Sequence, residues 1–429
     1  MNIYNCQEAF GASDVSGRAM EQAVREWFNL YYRSAVTGGE DPCQRIAYTV
    51  VSKLVRGVFA EYSARSDSPF LQQTLAALDD GKEQAVQLAL VGGECYLKPW
   101  VCGDGFRFTL IPRDQILIFG ADAAGMPTDV GTMERCTAGN AYYTLLERRK
   151  VDGDGYLTIE NRLFRSYNAD TLGQEVPLGS LALYAQLQSR YTYPQPIGSV
   201  GLVRIKTPML NCVDGSNQGV SVYAAATGLI HAIDKNEHQL SGEFERGQSR
   251  VFASADLLRD GALSDHLFVG LDEDPERVGI TVFSPQLREQ SFLARKQEYL
   301  RNVESVVGLK RGTLCDANVD QRTATEISAS AAEHNLTVMD FQGMWASAVR
   351  QAMDLCALLG QLYRIPGAQE GEVTLDWGNG VLYDEEKQWQ DYKDMVARGL
   401  IAPEIALGWR FNLPADTPEQ KAAIREKLM

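Results

Sequence analysis

The sequence predicts an α+β protein, and three observations carry that expectation. Apolar residues recur at helical spacing up to about Leu90. At Val91-Gly92-Gly93 the period changes. From there to about Leu210, short alternating or β-branched runs are separated by Gly, Pro and Asp. Beyond Asn217-Gln218-Gly219 helical spacing returns, interrupted by one small insert with strand-like ends.

Residues 14–36 read as a helix, with Met20, Val24, Trp27, Leu30 and Tyr31 at steps of three and four. Asp41-Pro42 breaks the chain, and a second helix carries Ile46, Val50, Val51, Leu54, Val55 and Val58. A third is expected from about Pro69 to Leu90, making the start all-helical. Strands are expected at Cys95 to Val101, Phe106 to Ile111, Ile116 to Phe119, Ala141 to Arg149 and Tyr156 to Arg165. Hairpin turns are expected at Gly103-Asp104-Gly105 and Asp152-Gly153-Asp154-Gly155. A helix follows Gly219, marked by Val222, Ala226, Leu229, Ile230, Ile233, Leu240 and Phe244. The insert from Gly247 to Ser284 has strand-like ends (Ser249 to Ala253 and Gly279 to Phe283) and an acidic middle, Asp272-Glu273-Asp274. Ser284-Pro285 has the chemistry of a helix start, Ser as cap and Pro in the first turn. That helix runs to Val307. After an aperiodic stretch, Thr323-Ala324-Thr325-Glu326 opens the longest helical pattern, which ends at Ile365-Pro366-Gly367. A strand from Glu372 to Trp377 and a helical tail from Asp384 complete the chain.

Composition bounds the function. At 429 residues the chain exceeds what one core usually holds, so two or more domains are expected. Hydrophobic residues make up 45% and charged residues 23%, which places it among folded proteins. The net charge of −15 disfavours tight, sequence-independent gripping of DNA, which needs a basic excess. An acidic protein can still surround DNA without adhering to it. Met1 to Phe10 lacks the pattern of a signal peptide. No run approaches the roughly 18 apolar residues of a membrane span. The eight cysteines are scattered without a C-x-x-C pair and read as small buried hydrophobes of a reducing cytoplasm.

Catalytic motifs are missing from the sequence. Gly81-Lys82 is followed by Glu83, which rules out a P-loop. Gly215-Ser216-Asn217-Gln218-Gly219 has the wrong spacing for a nucleophile elbow, and no H-E-x-x-H occurs. His231 and His238 are seven apart with Asp234 and Glu237 nearby, a spacing that suits a polar helix surface better than a metal site. Asp152-Gly153-Asp154-Gly155 suits a hairpin turn better than a calcium loop, whose sixth position would hold glycine where this chain has Leu157. Neither a catalytic residue, a metal site nor a cofactor is therefore expected. The stretch from Gly308 to Arg322 carries Lys310, Arg311 and Arg322 against Asp316 and Asp320. It reads either as a solvated connection or as a functional loop, since long unstructured loops inside compact domains are often functional. The Met and Trp stripe of the long helix after it reads as core. Two helices flanking a small insert make an antiparallel hairpin. Their apolar positions on more than one side need covering. Head-to-tail packing of such arms closes a ring when the rotation closes.

Four segments resemble phage portal proteins, in the branch typical of long-tailed phages of Gram-positive hosts. They are Glu26-Trp27-Phe28-Asn29-Leu30-Tyr31-Tyr32 with Ile46 to Val58; Tyr156 to Asn161 through Leu172 to Leu178; Gly219-Val220-Ser221-Val222-Tyr223-Ala224 with Ile230 to Asp234 and Glu243 to Phe252; and Gly308-Leu309 to Asp316 with Thr323-Ala324-Thr325-Glu326-Ile327. The last is the most specific, and together they span about residues 20–385 in the family's order.

The resemblance implies a portal-type α+β fold. It comprises a wing (1–215, helices then antiparallel sheet), a stem (216–246 and 285–307) around a clip (247–284), a tunnel loop (308–322), a long wing helix with a strand (323–383), and a crown (384–429). The crown is short for the family. The resemblance also implies a ring of about twelve copies closed by rotational symmetry. Double-stranded DNA would pass through it, with Lys310, Arg311 and Arg322 of the loop as its contacts. The implied partners are the terminase large subunit, a head–tail adaptor and the major capsid or scaffolding protein. The implied location is the capsid's portal vertex in the virion, after assembly in the host cytoplasm. The competing readings are another head–tail connector component, although adaptors are generally much smaller, and a hydrolase with an unrecognised site.

Overall fold

In the computed structural model the described residues are 3–32, 41–247, 250–254, 268–271, 281–283, 286–316, 324–378, 385–411, 413–415 and 417–428. The chain mixes helix and sheet, as an α+β protein does. Its first helices are α1 (Asn5–Phe10), α2 (Arg18–Tyr32) and α3 (Ile46–Val58). The spacing of α2 aims Met20, Val24, Trp27, Leu30 and Tyr31 inward, and all five are buried. The start is not all-helical. Strand β1 (Ser63–Ser66) pairs antiparallel with β14 (Val373–Asp376), nearly the whole chain away. Ser63 to Ser66 has no apolar alternation, so only that distant partner makes it a strand.

The expected third helix is two: α4 (Pro69–Asp79) and α5 (Lys82–Gly92). Ser68 caps α4 by accepting from the Leu71 amide at 3.4 Å, with Pro69 in the first turn. The break falls at Asp80-Gly81, where glycine's weak helix propensity lets α5 turn into the interior. Ala85, Val86, Ala89, Leu90 and Val91 of α5 are fully buried.

Two antiparallel sheets follow. The hairpin β2 (Glu94–Cys102) and β3 (Gly105–Pro112) closes on a two-residue turn, Gly103-Asp104. The second sheet orders β4 (Ile116–Ala121), β5 (Pro127–Ala138), β6 (Ala141–Val151), β7 (Leu157–Ser166) and β8 (Gln174–Val176), with β9 (Arg190–Thr192) also on β7. Strand β10 (Val203–Lys206) returns to β2. Periodicity did not suggest β5, because its inward positions include Asp129 and Thr132. Both are buried, and Arg148 satisfies Asp129 bidentately at 3.0 and 2.7 Å. Asp152 ends β6 in a hairpin turn, its Oδ1 accepting from the amides of Asp154 and Tyr156.

The arm leaves the body after residue 219. Its first helix, α6 (Thr227–Arg246), begins later than periodicity predicts. Residues 220–223 are instead tied to the body: the Val222 amide donates to the Leu90 carbonyl, and the Tyr223 hydroxyl donates to the Trp27 carbonyl at 2.8 Å. The returning helix, α7 (Glu289–Val307), starts four residues past Pro285, and Ser284-Pro285 lies outside the described residues. Arg288, just before α7, clasps Glu243 at 3.0 and 2.8 Å, which pins the chain across the end of α6. Lys296, further along α7, meets Glu237, earlier in α6, and Asn236 donates to the Phe292 carbonyl, so with the Glu243–Arg288 pair the helices run antiparallel.

Between them lies a three-stranded sheet of β11 (Arg250–Ser254), β12 (Phe268–Leu271) and β13 (Thr281–Phe283). Strand β11 is central, parallel to β12 and antiparallel to β13. The strand β12 was not foreseen, and the acidic segment Asp272-Glu273-Asp274 lies outside the described residues.

The long helix α8 (Ala324–Leu362) is core along most of its stripe, from Trp345 to Leu359, but Leu336 and Met339, which the stripe also includes, are exposed. Val338, Phe341, Trp345, Val349, Ala352 and Cys356 are buried in the body. Three helices end the chain: α9 (Glu385–Ala397) and α10 (Pro403–Arg410) meet through the Trp389, Tyr392 and Trp409 rings, and α11 (Pro418–Leu428) is tied to α10 by Arg425 and Glu404. Cysteines 6, 95, 315 and 356 are buried as expected, but Cys102 and Cys212 are exposed. Among the described residues no helix is long and apolar enough to cross a membrane.

Candidate functional site

The described part of the loop, Gly308 to Asp316, connects α7 toward α8. Gly308 ends α7 in the left-handed region (φ 69°), a conformation a side chain resists. It also lies against α8. The His334 ring donates from Nδ1 to the Gly308 carbonyl at 3.1 Å, and a Cβ at Gly308 would collide with Thr337. Leu309 turns inward and is buried, its amide donating to the Glu304 carbonyl. Lys310 and Arg311 follow on the exposed side. Thr313 closes a turn by donating its hydroxyl to the Lys310 carbonyl at 2.6 Å.

The centre of this loop is Glu304, on the last turn of α7 and fully buried. One carboxylate oxygen accepts from the amides of Leu314 (2.6 Å) and Cys315 (3.1 Å). The other accepts from the Gly312 amide (3.2 Å) and the Cys315 thiol (3.1 Å). Burial, then the hydrogen bond to Glu304, pushes the Cys315 thiol's pKa up, so it keeps the proton it donates. Gln297, one face along α7, accepts from the Asp316 amide at 2.8 Å. Gly312 sits at φ 87°, which lets its amide turn toward the carboxylate.

Sequence reasoning placed Lys310 and Arg311 on this loop, and the structure sets them side by side on its exposed turn. Arg322 and Asp320 lie outside the described residues. Glu304 was missed. Its partners are three backbone amides and a thiol, and amides carry no residue-type signal.

A second buried carboxylate fixes the root of the arm. Glu94 accepts from the Tyr96 hydroxyl (2.6 Å), the Gly219 amide (2.6 Å) and the Arg204 guanidinium. Burial alone would raise its pKa, but the charges of Arg204 and Arg113 outweigh that and hold it below the ordinary carboxylate range. Gly93 and Gly219 touch backbone to backbone, and a Cβ on either would overlap the other. This site is structural: it leaves no group free for chemistry. His231 pairs with Glu26 at 2.8 Å on the surface, the polar-surface role expected of it. Among the described residues no cluster of His, Cys, Asp and Glu could hold a metal ion.

The sequence model of the family described as phage portal protein, SPP1 Gp6-like, matches residues 79–427. The chain belongs to the tailed-phage portal protein family. No curated protein matches it. Portal proteins are structural rather than enzymatic components of the phage capsid, and they serve DNA packaging. The match covers both sheets, the arm, the loop, α8 and the C-terminal helices, and so extends past residue 385, where the sequence resemblance stopped. The opening helices α2 and α3, which carried one of the four resemblances, precede the matched stretch.

Proposed function

We propose that this portal protein assembles into a ring of about twelve copies, closed by rotational symmetry at one capsid vertex, through which the genome is packaged and later ejected. In this reading residues 1–215 together with 323–383 form the wing, α6 and α7 the stem, the sheet of β11 to β13 the clip, and α9 to α11 a short crown. The clip docks the terminase large subunit during packaging and a head–tail adaptor afterwards. The wing faces the major capsid or scaffolding protein, and assembly proceeds in the host cytoplasm.

One observation carries this reading: within the matched stretch, an antiparallel two-helix arm bears a small sheet at its tip and a basic turn where it returns to the body. The loop after α7 then lines the channel, with Lys310, Arg311 and Arg322 as phosphate contacts. The net charge of −15 fits this task. A strongly attractive wall would hold DNA by counterion release, whereas a mostly repulsive wall with a few basic points lets it slide. The alternative of an unrecognised hydrolase has no support from the family.

End-on electron micrographs and mass photometry of the purified protein test the assembly. Closed rings are expected, and monomer alone at every salt and protein concentration overturns the reading.

A further inference from the structure

We propose that Glu304 is the positioning residue of the loop: it fixes the Gly308–Asp316 backbone in one shape, so that every copy presents Lys310 and Arg311 at the same point. The purpose of that shape rests on the channel reading above; the latch itself does not.

Residue 304 holds the loop twice. Its backbone carbonyl accepts the amides of Gly308 and Leu309, which end the helix. Its side chain then reaches past the turn and collects donors from residues 312, 314 and 315. Lys310 and Arg311 lie between these two attachments, so the segment that carries them is clamped at both ends. Both carboxylate oxygens are used, and each serves two donors. Glu304 is fully buried beneath an exposed Gly312 and a half-buried Leu314, so losing its carboxylate leaves the buried Cys315 amide and thiol without the acceptor they use. The two glycines are spent on this one conformation: Gly308 and Gly312 each occupy a positive φ that the clamp requires.

A symmetric ring gives the arrangement a use. Each loop contact with DNA is repeated in every copy, and translocation demands that each stay weak and equal. A loop free to sample many shapes would let single copies grip.

Glu304→Gln tests this in the full-length assembled protein. It keeps the volume but turns one acceptor into a donor that faces an amide or the Cys315 thiol. Trypsin cuts after Lys310 and Arg311, so its rate on native protein reports loop opening directly. Glu304→Gln should speed that cleavage by at least about tenfold while rings still form. An unchanged rate overturns the proposal. If the variant does not assemble, hydrogen exchange on wild-type rings decides: the 308–316 peptide should keep slow amides, and full exchange at the unprotected rate overturns the latch.

DNA packaging separates positioning from general stability. A residue acting through Lys310 and Arg311 costs packaging in the wild type but nothing further in a Lys310→Ala/Arg311→Ala background. A further loss in that background sinks the positioning role. Faster cleavage with wild-type packaging leaves the latch standing and instead removes the channel assignment of the loop.

Discussion

In the body, Glu94 and Glu147 are sealed from solvent and each meets guanidinium or ammonium groups: Arg204 for the first, Arg149 and Lys98 for the second. Along the arm, Arg288 holds Glu243 with its own side chain 71% exposed. The apolar burial differs in the same way. Helix α5 is buried from Ala85 onward apart from Gln87, whereas no residue of α7 before Leu300, and none of α6 after Leu240, is buried. Phe244, Leu287 and Leu293 stand exposed toward the arm's outer end. The body thus carries its own core and neutralises its buried charges, whereas the outer half of the arm has no fully buried residue within one subunit, and in the proposed ring other copies would cover it.

Three experiments would break or sharpen this contrast. The largest effect belongs to Glu94→Ala. It removes the carboxylate and leaves Arg204 buried, and it frees the Tyr96 hydroxyl and the Gly219 amide of their acceptor. Breaking a buried pair from one side costs about 3–5 kcal/mol, a large share of the roughly 5–15 kcal/mol of a typical domain. Urea unfolding at matched subunit concentration should show that loss. A loss below about 1 kcal/mol would place Glu94 with the surface pairs of the arm and erase the distinction.

The second effect is a pH dependence. Burial would raise the Glu147 pKa, but Arg149 and Lys98 outweigh it and push it down to about 2, from an ordinary value of 4.5. A carboxyl depressed in the folded state stabilises most above its unfolded pKa, and that contribution fades as pH falls toward the folded one. Glu147 should therefore contribute about 3 kcal/mol at neutral pH, lost between about pH 4.5 and pH 2. Stability curves of wild type and Glu147→Gln should converge across that window. Parallel curves would show that the ion pair contributes nothing that titrates there.

The same contrast explains what the sequence discloses. Periodicity marks the helices α2, α3 and α8 and most strands, because apolar spacing is what builds their cores. It fails where structure is made by distant or polar partners. Ser63 to Ser66 is a strand only beside Val373 to Asp376, and the buried start of β5 mixes Asp129 and Thr132 with its one aliphatic residue, Val130. It fails again at α6, where residues 220–223 carry helical spacing but are claimed by Leu90 and Trp27 of the body. In the candidate site, Lys310 and Arg311 were legible as basic residues on an aperiodic loop. Glu304 was not, since a glutamate on the last turn of a helix looks like any solvated one until its amide partners fold back. The aperiodicity of the loop nevertheless held the information: a stretch with two glycines and no helical or strand pattern had to satisfy its amides by some means other than a ladder.

The smallest effect on the subunit itself is expected from the arm. Phe244 and Leu293 are 45% and 49% exposed, so each buries only about half its surface within one chain, and replacing both with aspartate gives up that half. Half-burial of two such side chains is worth about 1–3 kcal/mol, and the unfolding of isolated subunits should show a loss of that size and no more. The ring should not tolerate the same change. If neighbouring arms cover these side chains, each interface acquires two buried carboxylates without partners, a cost multiplied around the assembly. Mass photometry should then find monomer where the wild type forms rings, with the subunit still folded and its melting only modestly lowered. The two readouts move independently only if the arm is stabilised from outside. Rings that persist would place these residues on a free surface, and a subunit that unfolds would mean the arm's outer half supports the body after all.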